Sequence, residues 1–311
     1  MADIDRNDVA TLIEEEYSGA LLDFASASSA ALSAYRTVNL GTRTTNMPVL
    51  TTLPEAGWVT ESVSNADGTK PTSQAVWGNK TIVAEELAVI VPVHENVLDD
   101  ATEDLLTQIA QLGGQAIGKK LDQAVFFGVD KPTTWTSPDL VAAATAAGNV
   151  FTASATPGTG DLFGSIANAA AAVDDSGADP DSIVSRSGLR FQLMNLRDTT
   201  GAAVYQRTLS EANTVSESIL GLDFTPVKNG AWDRTKATAI IADSSRVLIG
   251  VRQDVTVKFL DQATVGGINL AEKDMVALRF KARYGYVLGN TIASDGGTTE
   301  PVAVVKAGAS S

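Results

Sequence analysis

From Glu95 onward the chain carries a helical period of unusual length. Leu98, Ala101, Leu105, Ile109, Leu112 and Ala116 are spaced by three or four residues, and the stripe continues through Ile117, Leu121 and Ala124. About 33 residues at 1.5 Å rise predict a rod of roughly 50 Å, far longer than a usual globular helix. Asp99, Asp100, Glu103 and Asp104 occupy its early turns and Lys119 and Lys120 its late ones, the polarity that suits a helix dipole. Gly113, Gly114 and Gly118 fall inside it. Each costs about 1 kcal/mol relative to Ala, so the rod is expected to hinge near its middle.

The flanking segments differ sharply from the rod. Asp8 to Phe24 reads as a short amphipathic helix with an acidic face at Glu14, Glu15 and Glu16, after which Ala25 to Ala34 is mostly Ala and Ser. Thr37 to Leu53 is rich in Thr and Asn, and cannot bury enough surface to fold alone. It is either disordered or an extended arm that orders against a partner. Residues 57–64 and 74–91 read as two strands, joined by Asn65-Ala66-Asp67-Gly68-Thr69-Lys70-Pro71. Asp-Gly supplies the positive φ of a tight turn, so this is a hairpin, and its few core-grade residues mean that it rests on something else.

Beyond the rod, residues 129–160 are of low complexity, with a short strand expected at 149–152. Asp161 caps a second helix with Leu162, Ile166 and Val173 in its stripe, which stops at Ser176-Gly177, and Ser187 is expected to cap a third carrying Leu189, Leu193 and Leu196. After Leu220 the period is two, most clearly over Met275 to Leu288. There Val276, Leu278, Phe280, Ala282, Tyr284 and Tyr286 share one face, and Arg279, Lys281 and Arg283 the other. The expected class is α+β with antiparallel strands.

Composition narrows the chemistry. There is no Cys, and His94 is the one His, which excludes thiol catalysis, thiolate metal sites and multi-histidine metal centres within one chain. A serine triad would have to use His94. The flanking carboxylates of His94 lack convergent ligand geometry, and paired acids such as Asp174 and Asp175 point apart, so neither reads as a metal or acid-base site. Gly266-Gly267 and Gly285 belong to no phosphate-binding motif. A net charge of −14 argues against a dedicated nucleic-acid binder, and no signal peptide or membrane span is expected. No catalytic, cofactor or metal site emerges. Arg279, Lys281 and Arg283 are expected to form intersubunit or intradomain salt bridges, and Trp58 and Trp77, on a hairpin outside any plausible core, to anchor a subunit interface.

The order of elements, with Ala75-Val-Trp-Gly-Asn-Lys-Thr-Ile-Val-Ala-Glu-Glu-Leu, Val91-Pro-Val-His-Glu-Asn-Val-Leu-Asp-Asp and Leu121-Asp-Gln-Ala-Val-Phe-Phe-Gly128, resembles the HK97-like major capsid proteins of tailed bacteriophages. Ile183-Val-Ser-Arg-Ser, Leu220-Gly221, Pro226-Val227, Ile240-Ile-Ala-Asp243, Val247-Leu-Ile-Gly250 and the strand with Arg279 and Arg283 continue the match in the family's order, over roughly residues 55 to 290. His94 stands where the family usually starts this helix with Ser or Thr.

The resemblance implies an HK97-like fold with an N-terminal arm at 1–54, an E-loop hairpin at 55–92, and the spine helix with part of the peripheral (P) domain at 93–160. A mainly axial (A) domain with an antiparallel sheet follows at 161–270, then a return strand to the P-domain and a C-terminal tail at 271–311. It implies a structural protein, not an enzyme, assembled in the host cytoplasm as hexamers and pentamers into an icosahedral virion head around double-stranded DNA. Its implied partners are further copies of itself, a portal protein, a separate scaffolding protein, DNA held without sequence specificity and, on some heads, a decoration protein. The alternative is an encapsulin-like nanocompartment shell around an enzyme cargo. Some members of the family cross-link a hairpin Lys to a neighbour's Asn. Lys70 is the Lys placed to reach out, with Asn269 or Asn290 as acceptor and Glu272 as base, but Lys is common at exposed turns and a noncovalent shell is expected.

Overall fold

The computed structural model describes residues 29–52, 56, 73, 75–99, 105–154, 161–196, 218–292 and 298–308. Its centre is a fourteen-residue strand, β13 (Met275–Leu288), in a four-stranded sheet of order β1-β10-β13-β4, where β1 is Arg36–Asn39, β4 Glu85–His94 and β10 Val247–Leu260. The expected alternation along β13 holds: Val276, Leu278, Phe280, Ala282, Tyr284 and Tyr286 are all buried, while Arg279, Lys281 and Arg283 face the other way and are half-buried.

The long helix lies over the apolar side of this sheet. Helical structure runs over Glu95–Asp99 and Leu105–Phe127; residues 100–104 lie outside the described residues. The 23-residue stretch is about 35 Å long. It buries Ile109, Ile117, Leu121 and Phe126 against β13, with Leu87, Val89, Val91 and Val93 of β4 packed alongside. Gly113, Gly114 and Gly118 are buried, and a Cβ at Gly113 would come within 2.7 Å of the Phe280 ring. At this position the glycine allows close approach of helix to strand, a packing reason that stands apart from any hinge.

A second sheet, of order β5-β16-β9-β6-β8-β7, has six strands: β5 (Val150–Thr152), β16 (Val302–Lys306), β9 (Ala239–Ala242), β6 (Ser182–Arg186), β8 (Leu222–Val227) and β7 (Ser218–Ile219). Its inner strands are apolar on both faces, as a sheet covered on both sides must be. Ile240, Val302 and Val304 face the core under the long helix; Ile241, Ala303 and Val305 face a separate core built on the helix Leu162–Asp175.

Several expectations are corrected. Residues 36–39, expected to belong to an arm that is disordered or orders against a partner, pair in parallel with β10 of the same chain, since an edge strand needs mainly backbone partners. The hairpin's outgoing arm is β2 (Thr44–Thr52), not residues 57–64, which lie outside the described residues; it pairs with β3 (Val76–Val83). The expected return strand 74–91 is cut at Ala84, whose buried N–H bonds Arg43 O at 2.8 Å, so that β3 serves the hairpin and β4 the body. The six-stranded sheet, expected to be antiparallel, is mixed, because β5–β16 and β6–β8 run parallel. The expected C-terminal tail contains β16, an inner strand, and β10, placed in the axial segment, belongs with β13. Asp161 caps its helix as expected, but the third helix, Leu189–Asn195, starts from Gly188 at φ +92° rather than from Ser187. The low-complexity stretch holds a helix, Leu140–Ala146, capped by Asp139.

One buried carboxylate ties these parts together. Asp122, on the long helix, accepts from Ser29 Oγ at 2.7 Å, Ala30 N and Ala31 N at 3.0 Å, and Asn229 Nδ2 at 2.6 Å. Burial pushes its pKa above the usual range, and the four hydrogen bonds oppose that shift. Nearby, the Tyr35 hydroxyl is buried without an acceptor among the described residues. Asp122→Asn keeps one oxygen for two of these donors but sets an amide N–H2 against the other two, and is expected to cost about 2–4 kcal/mol, whereas Tyr35→Phe removes a hydroxyl with no acceptor among the described residues and should cost less than about 1 kcal/mol. Chemical denaturation of unassembled subunits measures both.

Candidate assembly surface

The side of the four-stranded sheet away from the helix is divided in two. At one end Leu248 pairs with Val287 and Gly250 with Gly285, and this end seats the root of the β2–β3 hairpin. Leu40, Ile82 and Ala84 close over it as a small separate core. The fit requires two missing side chains: a Cβ on Gly250 would meet Leu40 Cδ1 at 2.5 Å, and one on Gly285 would meet Ile82 Cγ2 at 2.6 Å and Val83 O at 3.0 Å.

Farther along the same side run Arg283, Lys281 and Arg279. Lys281 Nζ pairs with Glu86 Oε2 at 2.7 Å, which makes this bridge intradomain. The Nε groups of Arg279 and Arg283 are buried without an acceptor among the described residues. Lys258, exposed on β10, stands directly opposite Arg279. Glu85, at the neighbouring register, is engaged by Arg43 at 2.8 Å and Thr134 at 3.0 Å, and the Arg43 bond holds its carboxyl below the usual range.

On the hairpin itself Trp77 is 66% exposed and Val76 49%. Trp58 and Lys70 lie outside the described residues. Asn290, weighed as an acceptor for Lys70, takes a hydrogen bond from Lys80 of its own chain. Lys80 Nζ also donates to Leu288 O and lies 3.6 Å from Glu300 Oε1, and burial lowers its pKa against the pull of Glu300. Lys80 thus pins the hairpin root to the turn after β13. Among the described residues no group of three His, Asp or Glu side chains could hold a metal ion, and no helix is long and apolar enough to cross a membrane.

The family described as the phage capsid family matches this chain over residues 10–293. The chain belongs to the phage capsid family. This capsid protein is similar to solved structures from Mycobacterium phage Adephagia, at 51% identity and TM-score 0.84 over all of both chains, and Mycobacterium phage Bobi, at 52% and 0.84 over 99% of this chain and 100% of that one. A more distant structure, titled as the capsid of a native GTA particle, is 18% identical with TM-score 0.62 over 90% of this chain and 91% of that one, and shares the fold. No curated protein matches. The chain is a structural major capsid protein of a phage head, with the HK97-like fold, and copies of it build a multimeric shell as part of the virion.

Two elements of this surface escaped the sequence reading. Lys80 contacts residues about two hundred positions away, which no local pattern reports, whereas Lys70 drew attention by standing at a turn. Phe191 and Met194 are exposed on the helix Leu189–Asn195, whose Leu189 and Leu193 are fully buried. Their positions off the leucine stripe were the available signal. Gly285→Ala is expected to cost the capsid protein about 1–3 kcal/mol, because the methyl meets a backbone carbonyl that cannot rotate away. Gly41→Ala, where nothing lies within 4 Å, is the matched control, and thermal unfolding of both variants checks the difference.

Proposed function

We propose that this capsid protein assembles in the host cytoplasm as hexamers and pentamers into an icosahedral head that encloses double-stranded DNA. The observation that supports this reading is the β2–β3 hairpin. Its root is fixed on the body, yet Trp77 and Val76 stay exposed on a two-stranded ribbon, which alone is marginal in water. Such a ribbon gains its missing contacts from a neighbouring copy. Trp58, Lys70 and Trp77 are proposed as its contact residues, and Arg279, Lys281 and Arg283 as contacts on the body. A hinge at Gly113, Gly114 and Gly118 is proposed to act when a precursor shell expands, with Gly113 also serving the Phe280 contact.

The remaining partners follow from the same role: a portal protein at one vertex, a separate scaffolding protein, a decoration protein on the outer surface, and DNA held without sequence recognition. A chain of net charge −14 suits a container whose cargo must pack and later leave. The role is structural and calls for no catalytic group or cofactor.

Electron microscopy of the expressed protein tests the proposal. Closed shells of hexamers and pentamers are expected, and a stable monomer at high concentration would overturn it. Packaged double-stranded DNA with a portal is expected in mature particles; an enzyme cargo in its place would make this a nanocompartment. Deleting residues 61–76 should leave a folded subunit that forms no shells. Mature particles boiled in denaturing detergent should run as one band near 32 kDa, the mass of the single chain, and a ladder of multimers lost in Lys70→Ala would refute the noncovalent shell.

A further inference from the structure

A cleft of about 610 Å³ lies where four separate parts of the chain meet: the root of β2, the start of β10, the turn after β13, and Gly177 just past the helix Leu162–Asp175. Small-molecule sites are concave, favour such junctions and hold about 300–1,000 Å³, so this cleft has the size of a ligand pocket. Its lining has two chemistries. Met47 and Val49 of the hairpin, with Leu248 and Ile292 of the body, supply apolar surface. Arg36 and Arg246 supply positive charge, and no Asp or Glu lines the cleft.

The two arginines start from neighbouring positions. Arg36 is the register partner of Leu248 on a parallel strand, and Arg246 stands two residues before Leu248, with Gly289 N donating to its carbonyl at 2.8 Å. By strand geometry their Cα atoms are about 8 Å apart, close enough for two long side chains to converge on one anion. Neither charge is used up within the chain. Arg246 Nε lies 3.8 Å from Asp243 Oδ2, a loose ion pair, and Asp243 Oδ1 already accepts from Ser245 N at 2.9 Å and Ser245 Oγ at 2.6 Å. Arg36 donates to Ser244 O through its backbone N–H, and its guanidinium has no acceptor among the described residues. In a chain of net charge −14, two arginines left without acids in one cleft are suited to a carboxylate or phosphate from outside. A bare anion would leave the apolar wall in water, whereas one with a short hydrocarbon body would cover it.

We propose that this cleft binds a small amphipathic anion, its carboxylate or phosphate head held by Arg36 and Arg246 and its apolar body laid against Met47, Val49, Leu248 and Ile292. Because β2 supplies one wall and the body the other, the ligand ties the hairpin root to the sheet. It does so beside Asn290, which lines the cleft and accepts from Lys80 of the hairpin. Occupancy stiffens the arm at its base. The site belongs to the single chain and does not depend on how copies assemble.

Isothermal titration of free subunits, and of shells where they form, with octanoate, octyl phosphate, 1-octanol and inorganic phosphate tests this. One saturable site per chain is expected for octanoate or octyl phosphate, the tighter of the two identifying the head group. Octanol and inorganic phosphate should bind at least tenfold more weakly. Arg36→Gln with Arg246→Gln should weaken the amphipathic anion at least tenfold, and Val49→Ser severalfold. Hydrogen exchange at residues 44–49 should slow severalfold on binding; unchanged exchange with binding intact would overturn the tie to the hairpin. Inorganic phosphate bound as tightly as the amphipathic anions would make this a plain anion site, and octanol bound as tightly a plain apolar one, and either result overturns the proposal. So does the absence of saturable binding, or binding that both variants leave unchanged, which would place it elsewhere. Binding by free subunits that shells lose would mean that a neighbouring copy fills the cleft, and overturns it too. Thermal unfolding without ligand guards against misfolding; should the double variant melt early, Arg36→Gln alone takes its place and must still weaken binding at least threefold.

Discussion

The two faces of β13 impose incompatible demands, and the rest of the molecule is arranged around that division. One face must be apolar along its whole length because the long helix lies on it, so Val276, Leu278, Phe280, Ala282, Tyr284 and Tyr286 are all buried there. The other face is free of that demand and changes character along the strand: an apolar seat with a glycine gap at one end, a row of cations toward the other. A period of two makes both possible in fourteen residues. Shifting the register of β13 by one residue would place guanidinium groups under the helix and Phe280 in solvent, so register here is set by a large energetic difference.

This explains which parts could be read from the sequence. The alternation from Met275 to Leu288 is a local pattern with one interpretation, and the structure agrees with it residue by residue. The helix Leu162–Asp175 was equally legible, since Asp161, its apolar stripe and the stop at Gly177 lie within one window. The hairpin was recognisable as such, but its first arm was not. Thr44 to Thr52 lacks apolar alternation, with Met47 packed on the small core at the ribbon's root, and so it reads as disordered or as an arm that orders against a partner. Likewise Val302-Ala303-Val304-Val305 shows no alternation, since both faces are buried, and a short apolar run near a terminus resembles a tail.

Features of the candidate assembly surface were legible by type more than by place. Trp77 reads as an interface anchor and the basic alternation of β13 as intersubunit or intradomain salt bridges; the structure leaves both outside the cores, with Lys281 bridged to Glu86 of its own chain. Lys80, Gly250 and Gly285 were not visible. Each matters through an approach between segments far apart in the chain, and a glycine in a strand reads locally as a weakness. Asp122 belongs to the same group: within the helix it is one acid among several, and its four donors come from residues about ninety to one hundred and seven positions away.

The tight seat at Gly250 and Gly285 also makes the hairpin a lever. Nine residues of β2 extend about 30 Å, so a rotation of about 10° at the root would carry the far end through about 5 Å, the spacing of neighbouring strands. A subunit that must meet many identical neighbours cannot tolerate that spread at every contact. Clamping the short end, with glycine allowing backbone to touch side chain and Lys80 fastening the turn beside it, divides positional error where it is smallest. Accuracy in a large closed surface would then depend on a few ångströms at the base of each arm.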